Sequence, residues 1–438
     1  MTTGALVIDC DGHILEPPDL WEIYLEPAYR DRALRIRVGD DGFEHLLIDG
    51  RPSTIARPGQ LSTLGGMGKR VDEARELRER AMRGDVPPAE VRGIRPTPEQ
   101  TYLGGAAFGT MDMKERVQLL DREGMAKAVL YPTLGLLWEA ELFDPELSSA
   151  YCRAYNRWIA DFCRDSSGRL IPIAHLSLGN PAEAARELER AVKDGRRGAF
   201  VCPFTITRVP HGDPRHDAVF AAAQDLDVPL AVHPTFEPIA FNVHHRFDKF
   251  GWAVWYFNLF AGQGVQQAFA TFFQFGVFER FPRLRVVVLE SQAGWIGYFL
   301  DRADATFTGT PLGATVRLKE KPSYYFKRQC FISADPDERT IAALMPHVGE
   351  DKFFWASDYP HPDHPGAYLE ELRGMVAPMT ESGRRGILGE NVARAYRRSG
   401  SSNVLPFLSQ YGLNALTGLW PRSSSRATDR FHSSASGK

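Results

Sequence analysis

The chain has 438 residues, of which 43% are hydrophobic and 24% charged, and its 52 lysine and arginine residues nearly balance 55 acidic ones. This composition allows a large buried core, and it excludes a disordered, collagen-like or disulfide-rich chain. A net charge of −3 gives no electrostatic reason to expect nucleic acid or an anionic membrane as a partner.

Short apolar runs bounded by turn residues recur along the chain, as is typical of parallel strands buried on both faces. They predict eight strands, at Ala5–Cys10, Ala126–Pro132, Leu170–Ala174, Gly198–Cys202, Val228–Val232, Leu284–Leu289, Arg328–Ser333 and Lys352–Ala356. Helical patterns lie between them, at Asp112–Glu123, Pro145–Arg164, Pro181–Lys193, Asp217–Leu226, Val265–Phe281, Trp295–Asp304 and Pro336–Met345. This alternation predicts an α/β fold, a (β/α)8 TIM barrel with a large insertion after strand 1 and a C-terminal extension. A doubly wound open sheet is the alternative.

The barrel is expected to occupy residues 1–398 as one domain. Residues 14–111 form an insertion rich in proline and charge, with a helical stretch at Val71–Arg83. An insertion after a barrel strand lies over the C-terminal face, so this one is predicted to be a lid or cap. A second, aromatic insertion follows the fifth strand at residues 236–262. Residues 399–438 form the extension, which ends in a serine-rich tail predicted to be disordered.

Cysteine usage and the N-terminus indicate the compartment. The five cysteines are odd in number, widely spaced and mostly within apolar runs, which favours reduced, buried thiols: Cys10, Cys152, Cys163, Cys202 and Cys330. The N-terminus lacks the basic start and apolar stretch of a signal peptide. No apolar run approaches the ~20 residues that a bilayer-spanning helix needs. We therefore expect a cytoplasmic protein with no membrane partner.

Polar side chains stand at the C-terminal ends of five predicted strands, where the active sites of α/β barrels lie. They are Asp11 and His13 on the first, His175 on the third, His233 on the fifth, Glu290 on the sixth, and Asp358 and His361 on the eighth. Buried imidazole and carboxylate groups are costly when unpaired, whereas a divalent cation satisfies them together. The first two are separated by one residue, so a regular strand points both to the same side.

Each of these residues also has a structural alternative. A strand-end histidine is more often hydrogen-bonded in a core than bound to metal, Glu290 is placed to cap a helix, and Asp358 to cap a turn. Their coincidence along one rim favours the metal site. The expected ligands are Asp11, His13, His175, His233, Glu290 and Asp358, and the expected catalytic groups are Asp358, Glu290 and His361. His244 and His245 are expected to face substrate or solvent.

An ordered set of motifs resembles one known family. The motifs are Ile8-Asp9-Cys10-Asp11-Gly12-His13 with Glu16-Pro17-Pro18, His233-Pro234-Thr235, Leu289-Glu290-Ser291 with Gly294-Trp295, Ser357-Asp358-Tyr359-Pro360-His361, and Ile387-Leu388-Gly389-Glu390-Asn391. From about Val7 to Tyr396 the chain is similar to the amidohydrolase-related branch of the amidohydrolase superfamily, which includes the aminocarboxymuconate-semialdehyde and resorcylate decarboxylases. The resemblance implies a metal-dependent TIM barrel, commonly a homodimer, with metal ligands at Asp11, His13, His233 and Asp358.

The chain departs from the family pattern at three positions. Asp11 replaces the first histidine of the usual His-x-His pair, as a glutamate does in some of the decarboxylases, and Glu290 stands where a histidine is common. His175 has no firm counterpart. The added oxygen ligands shift the expected ion from zinc towards manganese or iron(II), and the candidates are numerous enough for one or two ions.

Three reactions fit these residues. The leading one is hydrolysis of a carboxylated or acyl small molecule by metal-activated water, with Asp358 or Glu290 carrying the proton, because hydrolysis is the superfamily's commonest chemistry. The second is non-oxidative decarboxylation of an aromatic or enoic acid, with Glu290 or His361 protonating carbon. The third is oxygen activation by two irons, which the surplus of ligands, including His175, motivates. A non-catalytic barrel is the remaining alternative.

The aromatic insertion bears on the substrate. Its rings predict a bulky, apolar small-molecule substrate, although they are equally suited to packing the cap or a dimer interface. The residues are Phe236, Phe241, Phe247, Phe250, Trp252, Trp255, Tyr256, Phe257 and Phe260.

Overall fold

The computed structural model describes residues 6–66, 76, 79–80, 82–85, 97–238, 240–241, 259–362 and 367–397. All of them lie in one compact unit, Ala5–Ser402. The predictions for residues 399–438, for His244 and His245, and for most of Val71–Arg83 fall outside the described residues.

The described residues form twelve strands: β1 (Ile8–His13), β2 (Arg35–Val38), β3 (Glu44–Ile48), β4 (Arg51–Pro52), β5 (Lys127–Tyr131), β6 (Leu170–Pro172), β7 (Ala174–His175), β8 (Ala199–Val201), β9 (Leu230–Val232), β10 (Val286–Val288), β11 (Cys330–Ala334) and β12 (Phe353–Trp355). Parallel pairing runs β1-β5-β6 in one sheet and β7-β8-β9-β10-β11-β12 in another. Each predicted strand is present, and the third is split into β6 and β7. Pro172 has no amide hydrogen with which to continue the ladder there.

Backbone contacts join the first strand to the end of the last. The N–H of His13 donates to the carbonyl of Tyr359 (2.7 Å), and the N–H of Asp358 donates to that of Asp11 (3.0 Å). The buried carboxylate of Asp9 accepts from the N–H (2.9 Å) and the hydroxyl (2.7 Å) of Ser357. With β6 and β7 counted as one strand, the eight parallel strands and their crossover helices form the predicted (β/α)8 barrel.

The α-helices of the described residues are α1 (Leu20–Tyr24), α2 (Tyr102–Gly105), α3 (Met113–Glu123), α4 (Gly135–Trp138), α5 (Pro145–Cys163), α6 (Pro181–Lys193), α7 (Asp217–Asp225), α8 (Gln263–Gln274), α9 (Val277–Arg280), α10 (Ile296–Gly309), α11 (Pro322–Gln329), α12 (Ile341–Val348), α13 (Tyr368–Val376), α14 (Glu381–Arg385) and α15 (Asn391–Ala395). Short 3-10 segments lie at Pro27–Arg32, Leu61–Thr63, Pro214–His216 and Pro311–Thr315, and a π-helical turn at Gly386–Glu390.

Several predicted elements were wrong in their type or bounds. The helix predicted for Val265–Phe281 is two helices, because Gly276 adopts a left-handed conformation (φ 67°) between them. Arg328 and Gln329, predicted to begin the seventh strand, belong to α11. The helix predicted from Pro336 begins only at Ile341, since residues 335–338 form a turn.

The barrel interior is filled by one set of buried apolar side chains from successive strands: Ile8, Cys10, Val129, Tyr131, Ile173, Phe200, Ala231, Val287, Leu289, Phe331, Phe354 and Ala356. These residues close the barrel below the strand ends. The polar groups at the C-terminal ends of the strands therefore lie directly above a layer of buried apolar side chains.

The described part of the first insertion contains a small sheet that the sequence did not predict. β2, β3 and β4 pair antiparallel. The chain before the sheet packs on α5, where the Tyr151 hydroxyl donates to the carbonyl of Arg32 (2.6 Å) and Trp21 meets the Tyr151 ring at 6.0 Å. The prediction that residues 14–111 act as a lid stays a prediction.

The cysteine prediction is confirmed, since all five thiols are free and buried. Among the helices that the structure describes, none combines the length and apolarity that crossing a bilayer requires.

Candidate metal centre

Two side chains of β1 form the first part of the centre. Asp11 and His13 are fully buried, and Nε2 of His13 lies 3.5 Å from Oδ1 of Asp11. Their spacing places both on one side of the strand, as predicted, although the pairing with β5 shifts register between Asp9 and Gly12.

His13 and His233 present the same ring nitrogen to the centre. Nδ1 of His13 lies 2.7 Å from the carbonyl oxygen of Pro132, and Nδ1 of His233 lies 2.6 Å from that of Pro234. A carbonyl oxygen only accepts, so Nδ1 carries the proton and Nε2 keeps a lone pair. Burial, and to a lesser extent the neighbouring His361, lowers the pKa of His13 to about 4, so this ring is neutral at physiological pH.

Three carboxylates face these lone pairs. Nε2 of His13 lies 3.1 Å from Oδ1 of Asp358. Nε2 of His233 lies 3.3 Å from Oδ1 of Asp11 and 3.2 Å from Oε2 of Glu290. Lone pairs and carboxylate oxygens are all acceptors and repel one another, and a divalent cation between them turns repulsion into coordination. Both carboxylate oxygens of Asp11 are buried without a hydrogen-bond partner among the described residues. The residues present therefore fit a divalent metal ion.

Glu290 and Asp358 leave their strands in an unusual backbone conformation. Their φ angles are 37° and 52°, in the left-handed region that residues with a Cβ rarely adopt. Hydrogen bonds hold both positions: the N–H of Glu290 donates to the hydroxyl of Ser333 (3.0 Å), and that of Asp358 to the carbonyl of Asp11. Such strain persists where the surrounding structure fixes it, and it is characteristic of functional sites.

His361 lies beside the centre and contacts Asp358. Its Nδ1 is 2.8 Å from Oδ1 of Asp358, its Nε2 is 3.1 Å from the hydroxyl of Thr133, and its ring stacks on His13 at 3.9 Å. The buried carboxylate of Glu16 accepts from three consecutive N–H groups that begin at Thr133. Thr133 was not among the predicted site residues, although it follows the second strand, just as the other residues of the centre lie at the ends of theirs.

His175 lies outside this group. Its Nε2 is 3.1 Å from Oε2 of Glu139, and the thiol of Cys202 donates to the same oxygen at 3.0 Å. The ring of Phe200 stacks on His175 at 4.3 Å and meets the edge of His233 at 5.9 Å, so it stands between the two histidines. The structure thus brings together six of the seven predicted site residues and places His175 in a separate cluster with Glu139 and Cys202.

The side chains of the centre differ in exposure. Asp11, His13, His233 and Asp358 are at most 1% exposed, whereas His361 is 10% and Glu290 17% exposed. Glu290 is therefore the group that a ligand entering from solvent meets first. Phe236, Phe241 and Phe260 of the aromatic insertion are described, and the remaining rings lie outside the described residues: Phe247, Phe250, Trp252, Trp255, Tyr256 and Phe257.

A (β/α)8 barrel with buried carboxylates and imidazoles at its strand ends defines a metal-dependent barrel enzyme. Residues 114–398, well over half of the chain, match the family model described as Amidohydrolase. The chain belongs to the amidohydrolase family, as its motifs predict.

Individual relatives agree with this assignment. The chain is 25% identical over 277 residues, 59% of its length, to the gamma-resorcylate decarboxylase of Polaromonas sp., 81% of which is covered. Its fold is similar to that of an amidohydrolase from Mycobacterium avium subsp. paratuberculosis (TM-score 0.70, 20% identity, covering 90% of this chain and 100% of the other). It is also similar to the 5-carboxyvanillate decarboxylase of Novosphingobium aromaticivorans complexed with manganese and 4-hydroxy-3-methoxy-5-nitrobenzoic acid (TM-score 0.61, 18% identity, 90% and 96%).

Proposed function

We propose that the protein is a metal-dependent decarboxylase of a hydroxylated aromatic carboxylic acid. The observation that carries the proposal is a buried set of metal-ligand groups in which one acid, Glu290, reaches the opening. The relatives named above with a stated reaction are decarboxylases, which supports this choice. Hydrolysis, the first choice from the sequence, has less support for the same reason.

Asp11, His13, His233 and Asp358 are the ligands we assign, with Glu290 beside them. Two carboxylate ligands, with a third carboxylate beside them, favour a hard ion such as manganese, with which the Novosphingobium enzyme is complexed. When bound, the ion supplies a Lewis acid for the carboxylate and the adjacent hydroxyl of the substrate. The two imidazoles, whose Nδ1 atoms are held by backbone carbonyls, keep Nε2 aimed at the centre.

The proton that the reaction needs is assigned to Glu290. In decarboxylation the bond between ring carbon and carboxylate carbon breaks, its electron pair stays on the ring carbon, and CO2 leaves. The carboxyl of Glu290 donates a proton to that carbon and regains one from solvent, to which its partly exposed side chain has access. Both nitrogens of His361 face Asp358 and Thr133, so His361 is a positioning residue for Asp358.

The proposal is tested with manganese-loaded protein in D2O and a panel of ortho-hydroxybenzoates that includes 2,6-dihydroxybenzoate. CO2 release and a product with deuterium at the carbon that lost the carboxylate are expected. Cleavage of ester or amide analogues by the loaded protein, with no CO2 from any acid of the panel, would establish hydrolysis instead.

Oxygen activation by two irons loses support, because His175, one of the surplus ligands that motivate it, lies with Glu139 and Cys202. Iron-loaded protein is therefore expected to show no substrate-dependent oxygen uptake in an oxygen electrode.

A further inference from the structure

We propose that Glu139, His175 and Cys202 form a second metal site, for a divalent cation of the zinc class, separate from the centre that contains Asp11 and His13. The three side chains come from the end of α4, from β7 and from the residue after β8. They are at most 2% exposed, and one ligand atom from each lies within 4.8 Å of the others. The site does not depend on the proposed function.

The distances agree with tetrahedral coordination. Nε2 of His175 lies 3.1 Å from Oε2 of Glu139, Sγ of Cys202 lies 3.0 Å from the same oxygen, and sulfur and nitrogen are 3.9 Å apart. Zinc bonds of about 2.0–2.3 Å in tetrahedral geometry separate ligand atoms by roughly 3.3–3.6 Å. Each ligand atom therefore needs to move by only a few tenths of an ångström to bind one ion.

Charge balance points the same way. No arginine or lysine among the described residues forms an ion pair with Glu139, so its buried carboxylate has no fixed positive partner. A dication bound by one thiolate, one carboxylate and one neutral imidazole gives a neutral site, which suits the apolar surroundings of Phe200, Trp138 and Phe204. On binding, the Cys202 thiol releases its proton to solvent and no electron is transferred.

The surrounding groups position two of the ligands. The hydroxyl of Ser177 donates to Oε1 of Glu139 at 2.6 Å, which turns Oε2 towards His175 and Cys202. The side chain of Asn156 bonds both the N–H (2.8 Å) and the carbonyl (3.0 Å) of His175. Nδ1 of His175 has no hydrogen-bond partner among the described residues, so without a metal Nε2 carries the proton that Oε2 of Glu139 accepts. Since no contact at Nδ1 opposes it, the proton can move to Nδ1 and leave Nε2 a lone pair for a cation.

The full-length protein is tested after metal removal and reconstitution with Co²⁺ as the probe. The centre at Asp11 and His13 has no sulfur ligand, so only the second site gives a thiolate-to-cobalt charge-transfer band in the near ultraviolet. Wild type is expected to show this band, and Cys202→Ser to lose both the band and one equivalent of bound cobalt. Cys330→Ser, which removes another buried thiol at the start of β11, is the matched control and keeps both.

A band that is absent from wild type at saturating cobalt, or that survives Cys202→Ser, overturns the proposal and leaves a hydrogen-bonded cluster only. X-ray absorption at the zinc edge on zinc-loaded wild type covers the case in which the variant does not fold. One sulfur neighbour at about 2.3 Å is expected. A shell of nitrogen and oxygen alone contradicts the second site.

Discussion

Two buried clusters lie on the same barrel, and they differ in how their hydrogen-bond donors and acceptors are matched. At the centre, Nδ1 of His13 and Nδ1 of His233 each face a backbone carbonyl, so acceptors face acceptors and a cation is required. In the cluster of Glu139, His175 and Cys202, donors face acceptors, because a thiol and a hydroxyl donate to the carboxylate. The first arrangement is complete only with metal, whereas the second is also satisfied by protons.

The difference lies in what fixes the histidine tautomer. When Nδ1 of a neutral histidine donates a hydrogen bond, Nε2 keeps its lone pair. In His13 and His233 the acceptor is a backbone carbonyl just after a strand, at Pro132 and Pro234. Equally buried histidines therefore present different groups at Nε2, a lone pair or an N–H, according to whether Nδ1 has a hydrogen-bond partner.

The largest effect is expected from removing a histidine whose tautomer is fixed. His233→Ala leaves Asp11 and Glu290 without a ligand between them, so metal affinity should fall by more than about 100-fold and CO2 release to background. Metal analysis and a CO2 assay measure both. His216→Gln, which alters a buried histidine away from the centre, is the control. Full metal content in His233→Ala contradicts the assignment.

Glu290→Gln separates metal binding from proton transfer. The amide keeps an oxygen towards His233 but has no acidic proton, so CO2 release should fall by about 10²–10⁴-fold while manganese remains bound. Glu290→Asp retains the acid and should recover part of the rate. Equal rates for the Gln variant and wild type would assign the proton to another residue.

A smaller effect is expected at Thr133. Thr133→Val removes the hydroxyl that meets Nε2 of His361, which loosens the contact from His361 to Asp358. Such outer contacts are worth about 10–100-fold in metal affinity, and the low end is expected here because His361 also stacks on His13. Manganese titration measures it. Thr133→Ser should restore the wild-type affinity, and a Val variant with unchanged affinity would remove Thr133 from the site.

The smallest expected effect is the pH dependence of stability that comes from His211, a buried histidine that contacts Cys202 of the second cluster. Nε2 of His211 lies 2.8 Å from the carbonyl of Cys202, and burial lowers the pKa of His211 from 6.5 to about 4. The unfolded chain takes up this proton first as pH falls below 6.5, so stability is full above that value and is lost towards pH 4. The contribution lost between pH 7 and pH 5 is about 2 kcal/mol. Urea unfolding at the two values should show a smaller drop for His211→Gln; an equal drop contradicts the assignment.

Much of the fold could be predicted from the sequence because parallel strands buried on both faces leave an unmistakable apolar signature. All eight strands were predicted, and the ends of four of them gave the six residues of the centre, while the end of the third gave His175. The sheet at β2–β4 was missed because its short strands are half exposed and alternate weakly, as in the pattern of Arg35–Val38.

The site residues that the sequence did not predict were missed for different physical reasons. Thr133 and Cys202 follow the second and fourth strands, so the same positional rule covers them, but neither carries the charge that draws attention in a sequence. Glu139 follows the four-residue helix α4, and nothing local indicates that it meets His175 across 36 residues. The separation of His175 from His233 depends on the volume of Phe200, which only packing reveals. The expected homodimer and cytoplasmic location stay predictions.

The bond between Asp9 and Ser357 has a consequence for biosynthesis. These residues are 348 positions apart, so the ribosome synthesises the first strand long before the segment with Ser357 to which that strand is hydrogen-bonded. Asp11 and His13 emerge early, His233 near the middle of synthesis, and Asp358 only with the eighth strand. A nascent chain cannot assemble the complete centre until the eighth strand has left the exit tunnel, and metal loading therefore follows translation of nearly the whole barrel.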